Sequence, residues 1–167
     1  MAYLLDTNVF IDAAETYYAT DICPAFWKWL STESSVHSIK EVKDELLKGN
    51  DDLSRWIKTE LPSDFFKTLN ATTRKHFVEI SDFVINRLKG NYSQEARHEF
   101  LYGADSGLIA AAMENKDVIV THEKRNIDHR ETKKVYLPTV ASAFGVRCIR
   151  IYQALRELNI VLGGCDK

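Results

Sequence analysis

Four acidic residues stand where an acid can do chemistry. Asp6 ends the apolar run Ala2-Tyr3-Leu4-Leu5, and Glu123 lies three residues after Val118-Ile119-Val120. Glu45 sits within the helical pattern 38–49, and Asp105 opens the pattern that carries Leu108, Ile109 and Met113. Carboxylates that converge without a charge-balancing lysine motif are costly unless a cation joins them. Hard oxygen ligands in that number favour Mg²⁺ or Mn²⁺ over zinc. A pair of such ions activates a water and stabilises the leaving oxygen in phosphodiester hydrolysis. Thr7 and Thr121 are placed to orient the carboxylates or a metal-bound water. Taken singly, each acid also has an ordinary reading. Asp6 and Asp105 suit helix N-caps, Glu45 a solvated helix position, and Glu123 an ion pair with Lys124 or Arg125. Only their joint placement favours chemistry.

Those placements require a particular set of elements. Residues 2–5, 35–38, 118–120 and 148–151 read as strands, being short apolar or β-branched runs. Helical patterns fall at 23–30, 38–49, 52–60, 72–89, 93–100, from 105 onward, 138–145 and 152–158. Ser38 with Glu41 three residues on is the signature of a capping box, and Gly49 of a helix terminator. Strands alternating with helices predict an α/β fold: a three-layer α/β/α sandwich with a central parallel sheet, in one domain over 1–167. In such sheets ligands bind beyond the carboxyl ends of the strands, where Asp6 and Glu123 fall.

Composition narrows the class. Of 167 residues 45% are hydrophobic and 28% charged, which fits a folded domain rather than a disordered chain. No apolar run approaches the roughly 20 residues of a membrane span, and the opening lacks a signal peptide's basic start. Three cysteines without CxxC spacing argue against a disulfide framework or zinc knuckle, so a cytoplasmic protein is expected. Residues 1–70 carry a net charge of −5 and residues 116–156 of +5, so one face could collect cations while another meets phosphates.

The residues also carry a resemblance. Leu4-Leu5-Asp6-Thr7-Asn8-Val9-Phe10-Ile11 resembles the first motif of the PIN-domain nucleases, and Glu45-Leu46-Leu47-Lys48-Gly49 the second. Gly103-Ala104-Asp105-Ser106-Gly107-Leu108-Ile109-Ala110 is similar to the third, and Val118-Ile119-Val120-Thr121-His122-Glu123 to the fourth. The tail from Leu137-Pro138 through Phe144-Gly145-Val146 to Arg150-Ile151 looks like a PIN-like group with no assigned function. The likeness spans about residues 3–152. It implies a PIN-like fold and Mg²⁺- or Mn²⁺-dependent endoribonuclease activity, often as a toxin with an antitoxin partner. It makes Asp6, Glu45, Asp105 and Glu123 the catalytic acids, of which Asp6, Asp105 and Glu123 hold metal. Thr7, Asn8 and Thr121 are supporting residues. Two positions depart from the pattern: the fourth acid is usually Asp rather than Glu123, and Thr139 stands where related sequences tend to carry an acid.

Lys124, Arg125, Arg130, Lys133 and Lys134 follow Glu123 closely. A basic segment beside an acidic metal site suits RNA, with cations gripping the flanking phosphates. A solvated polar loop is the other reading. Trp27, Trp29 and Trp56 fit a core or a partner-binding surface, and the helices that bear them raise the expectation of a homodimer. Two other functions compete with the ribonuclease. One is a non-catalytic PIN-like domain that binds protein or RNA without metal. The other, an aspartyl phosphatase, needs a second acid two residues after the first, and Asn8 cannot serve.

Overall fold

The computed structural model describes residues 1–126 and 133–163. Five strands form one parallel sheet: β1 (Tyr3–Leu5), β2 (Val36–Ile39), β3 (Phe66–Lys67), β4 (Val118–Val120) and β5 (Cys148–Ile149). Their order is β3-β2-β1-β4-β5. The central strands β1 and β4 are buried throughout, as expected for a parallel sheet covered on both faces. Both edge strands are two residues long, which leaves little unpaired backbone for another chain to extend.

Helices α1 (Thr7–Asp12), α2 (Pro24–Thr32), α3 (Lys40–Leu46), α4 (Asp52–Glu60) and α5 (Ala71–Asp82) occupy the first half of the chain. Helices α6 (Gln94–Tyr102), α7 (Ala104–Asn115), α8 (Leu137–Ala143) and α9 (Ile151–Glu157) complete it. They flank the sheet in a three-layer α/β/α sandwich, so the expected fold class holds. Helix α7 is the innermost: every residue from Ser106 to Ala112 is buried, because it packs against β2, β4, α5 and α8. Gly107 permits the closest of these approaches. A Cβ there would lie 2.9 Å from Ile39 Cδ1.

One local expectation gives way to a tertiary contact, and one strand is not foreseen by the sequence. Ser38 caps no helix: it is the third residue of β2, fully buried, with its hydroxyl donating to the Leu5 carbonyl at 2.6 Å. Helix α3 therefore starts at Lys40 without a side-chain cap. The strand at 66–67 has no signature in the sequence, since Phe65-Phe66-Lys67 neither alternates nor runs long enough to declare itself.

The tryptophans belong to the core. Trp27 and Trp29 are buried, and Trp56 packs edge-on against Trp27 with ring centroids 4.7 Å apart. The Trp27 indole N–H is satisfied by the Tyr18 carbonyl at 2.5 Å. Two of the three tryptophans are thus core residues, and Trp56 is half-buried against them. No helix among the described residues is long and apolar enough to cross a membrane.

Candidate active site

The chain leaves β1 for β2 on one side, while β4 lies on the other. The carboxyl ends of β1 and β4 therefore mark the point where the connections diverge and a crevice opens. In register, Leu5 pairs with Val120, which sets Asp6 beside Thr121 just past the sheet. The Asp6 N–H donates to the Val120 carbonyl at 3.0 Å, extending the ladder by one bond. A cleft of about 290 Å³ lies there, and Asp6, Glu45, Asp105 and Glu123 all line it.

Each acid reaches the cleft from a different element. Asp6 occupies the N-cap position of α1, yet its side chain caps nothing. Instead Oδ2 accepts the Thr121 hydroxyl at 2.7 Å and the Asn8 amide at 2.5 Å. Asn8 in turn accepts the His122 N–H at 2.9 Å, so this one side chain ties α1 to the segment after β4. Thr7 donates to Glu45 Oε2 at 2.5 Å. The other oxygen, Glu45 Oε1, accepts the Ala104 N–H at 3.0 Å. Glu45 thus caps α7 from across the fold, since Gly103 at the N-cap has no side chain to do so.

Asp105 sits in the first turn of α7 and makes no capping bond. It accepts no hydrogen bond among the described residues. Glu123 pairs with neither of its chain neighbours, Lys124 and Arg125. Its Oε1 lies 2.6 Å from Lys134 Nζ, and its Oε2 accepts the Leu137 N–H at 2.8 Å. Both chain neighbours are exposed to solvent. Lys133 has a polar or ionic partner of its own, and Arg130 lies outside the described residues.

The electrostatics follow from this crowding. The Asp6 carboxyl is pushed up to about 6, chiefly by burial and also by the charges of Glu123 and Glu45, against the pull of the Thr121 hydroxyl. Asp105 is held well above the usual carboxylate range, first by burial and then by the charges of Asp6, Glu123 and Glu45. Lys134 opposes that rise without cancelling it. For Lys134 itself burial lowers the pKa, but the Glu123 contact and the Asp105 charge outweigh it and the ammonium is favoured. Cys148, on the neighbouring strand, is pushed up to about 12 by burial and by Asp6 and Glu123, so it is no thiolate nucleophile.

Among the described residues no imidazole or thiol lines the cleft. A wall of carboxylates with excess negative charge fits a hard divalent cation such as Mg²⁺ or Mn²⁺ rather than zinc. Among the described residues no three His, Cys, Asp or Glu side chains are gathered closely enough to hold an ion. Glu45 is instead hydrogen-bonded by Thr7 and Ala104, and Glu123 is held by Lys134 and Leu137.

One acid of the cleft escaped the motifs. Glu99 lines the wall together with Ala96, Phe100 and Gly103, a spacing that places them on one face of α6 and its end. That spacing along 96–103, leading directly into the Gly103-Ala104-Asp105 turn, is the signal that could have found it. His122 does not line the cleft. Its Nδ1 lies 2.5 Å from Asp12 Oδ2 and its ring packs edge-on against Tyr17, a structural role.

Fold and site together define a class: a parallel α/β/α protein with an acidic cleft at the switch point of its sheet. Residues 3–162 match the family model described as Domain of unknown function (DUF4411), and the chain belongs to that family. No curated protein and no solved structure shows significant similarity to it.

Proposed function

We propose that this protein is a divalent-metal-dependent endoribonuclease. The observation that carries the reading is Asp105: among the described residues it accepts no hydrogen bond and faces three further carboxylates and a single ammonium group. Such an excess of charge is stabilised by a cation of higher valence than Lys134. Asp6, Asp105 and Glu123 would hold that ion, with Glu45 facing the same space. When bound, the ion supplies an activated water and charge neutralisation on the phosphate undergoing hydrolysis.

The chain's own residues do the positioning. Thr121 and Asn8 fix Asp6 by hydrogen bonds, so that carboxylate enters the cleft in one orientation. Glu45 fixes the N-terminus of α7 and with it Asp105. Lys124 and Arg125, exposed directly after Glu123, supply cations for flanking RNA phosphates. The resemblance to PIN nucleases supports RNA as the polymer, and it extends the reading to a toxin restrained by an antitoxin protein.

The test is cleavage of an end-labelled single-stranded RNA by purified protein in Mn²⁺. Cleavage should stop with EDTA and fall by orders of magnitude in Asp105→Asn. Equal cleavage by parent and Asp105→Asn would overturn the assignment. Expression should slow growth, and the same substitution should relieve it. A second reading, a metal-free interaction domain, is favoured by the protein donors that already satisfy Glu45 and Glu123. It requires that the parent neither cleave RNA nor bind Mn²⁺.

A further inference from the structure

The cleft contains a cation of its own. Lys134 reaches it from the segment just before α8, and its Nζ lies 2.6 Å from Glu123 Oε1. The two partners differ in solvent contact: the Lys134 side chain is 55% exposed, whereas that of Glu123 is only 11% exposed. The ammonium therefore keeps a path to water while neutralising a carboxylate that has little of it. Its Nζ also lies over the Tyr136 ring, 5.4 Å from the centroid.

We propose that Lys134 is an internal counter-ion that competes with the divalent cation for Glu123. The proposal rests on the metal-dependent reading of the cleft and adds a residue that this reading does not require. Three observations carry it. Glu123 has both oxygens engaged, one by Lys134 and one by the Leu137 N–H, so Oε1 serves an incoming ion fully only when the ammonium withdraws. The exposed neighbours Lys124 and Arg125 leave Glu123 alone, so the pairing is selected by the fold and not by proximity in the chain. Finally, Lys134 is the sole basic side chain lining the cleft among the described residues, against five acids.

The physical consequence is an exchange. One positive charge leaves the carboxylate as two arrive, and the freed ammonium stays beside the cleft on its four-carbon stem. Held there, it is available to a phosphate oxygen only while metal occupies Glu123. A site built this way couples its grip on the polymer to metal occupancy. Without metal, the same ammonium keeps Glu123 drawn away from Asp6 and Asp105.

Direct Mn²⁺ binding tests this without RNA and without turnover. Free Mn²⁺ would be counted by electron paramagnetic resonance for the parent, Lys134→Met, Lys134→Arg and, as a control of equal charge, the exposed Lys28→Met. Lys134→Met should bind Mn²⁺ roughly three- to tenfold more tightly than the parent, between the values for an exposed and a partly buried pair. Lys134→Arg should stay near the parent, and Lys28→Met should not move. In a second readout, with lysines carrying ¹³C-methyl labels, Mg²⁺ should shift the Lys134 resonance and leave Lys28 in place. If the parent binds Mn²⁺ and Lys134→Met binds no more tightly, the counter-ion role is overturned while the metal site stands. If no variant takes up Mn²⁺ at millimolar concentration, the metal reading falls and this proposal with it.

Discussion

The Thr121 hydroxyl donates to Asp6 Oδ2 at 2.7 Å, joining the residues that follow two adjacent parallel strands and lie 115 positions apart in the chain. This bond fixes a buried carboxylate at the divide of the sheet. It does not neutralise it, and the consequences of that residual charge can be measured.

Asp6→Asn should stabilise the metal-free protein at neutral pH. The Asp6 carboxyl is raised to about 6, against about 3.9 in an unfolded chain. The native state thus binds the proton more tightly than the unfolded state, and stability falls as pH rises through the folded value. Two units correspond to about 3 kcal/mol at most, less whatever the coupled acids share. Urea unfolding in EDTA should show the Asn variant gaining on the parent between about pH 4 and pH 7, with a constant lead above that. A constant difference from about pH 4 to pH 7 would contradict the shift.

Mg²⁺ should reverse the penalty where it is greatest. At pH 8 a saturating ion adds stability to the parent as the logarithm of its concentration over Kd, about 2.7 kcal/mol at a hundredfold excess. Asp105→Asn should lose most of that gain, because Asp105 is buried beside the charges of Asp6, Glu123 and Glu45 and Lys134 opposes them only in part. Thermal unfolding of both proteins with and without Mg²⁺ is the measurement.

RNA affinity should depend on salt through the exposed cations after β4. On single strands the slope is about −0.7 per phosphate contact, so Lys124→Ala with Arg125→Ala should flatten it by about 1.4. Binding of a non-cleavable RNA across a salt series gives the value. An unchanged slope would place the RNA path elsewhere on the protein.

Gly107→Ala should weaken the fold without touching the cleft. The new methyl would meet Ile39 Cδ1 at 2.9 Å and Leu69 Cδ1 at 3.4 Å. Overpacking of that kind typically costs about 1–3 kcal/mol, partly relieved if Ile39 rotates. Chemical denaturation reads the cost directly, and a stabilised variant would show that α7 and β2 have room to part.

The residues themselves determined a good deal. Tyr3-Leu4-Leu5 and Val118-Ile119-Val120 are apolar on both faces, and only a strand covered on both sides buries such runs, so the parallel α/β sheet was legible. The acids at the ends of those strands were legible for the same reason, because a buried strand delivers its next polar residue to the sheet edge. Partnerships were not. Ser38 carries a local capping signature but spends its hydroxyl on Leu5, because β1 happens to be the neighbour of β2. Glu45 looks like a solvated helix residue and instead caps α7, while Glu123 passes over adjacent cations for Lys134. Local propensity acts over a few residues and can be read along the chain. Which side chains share a cleft depends on strand order and on the burial each group can tolerate, and those are settled only when the whole sheet closes.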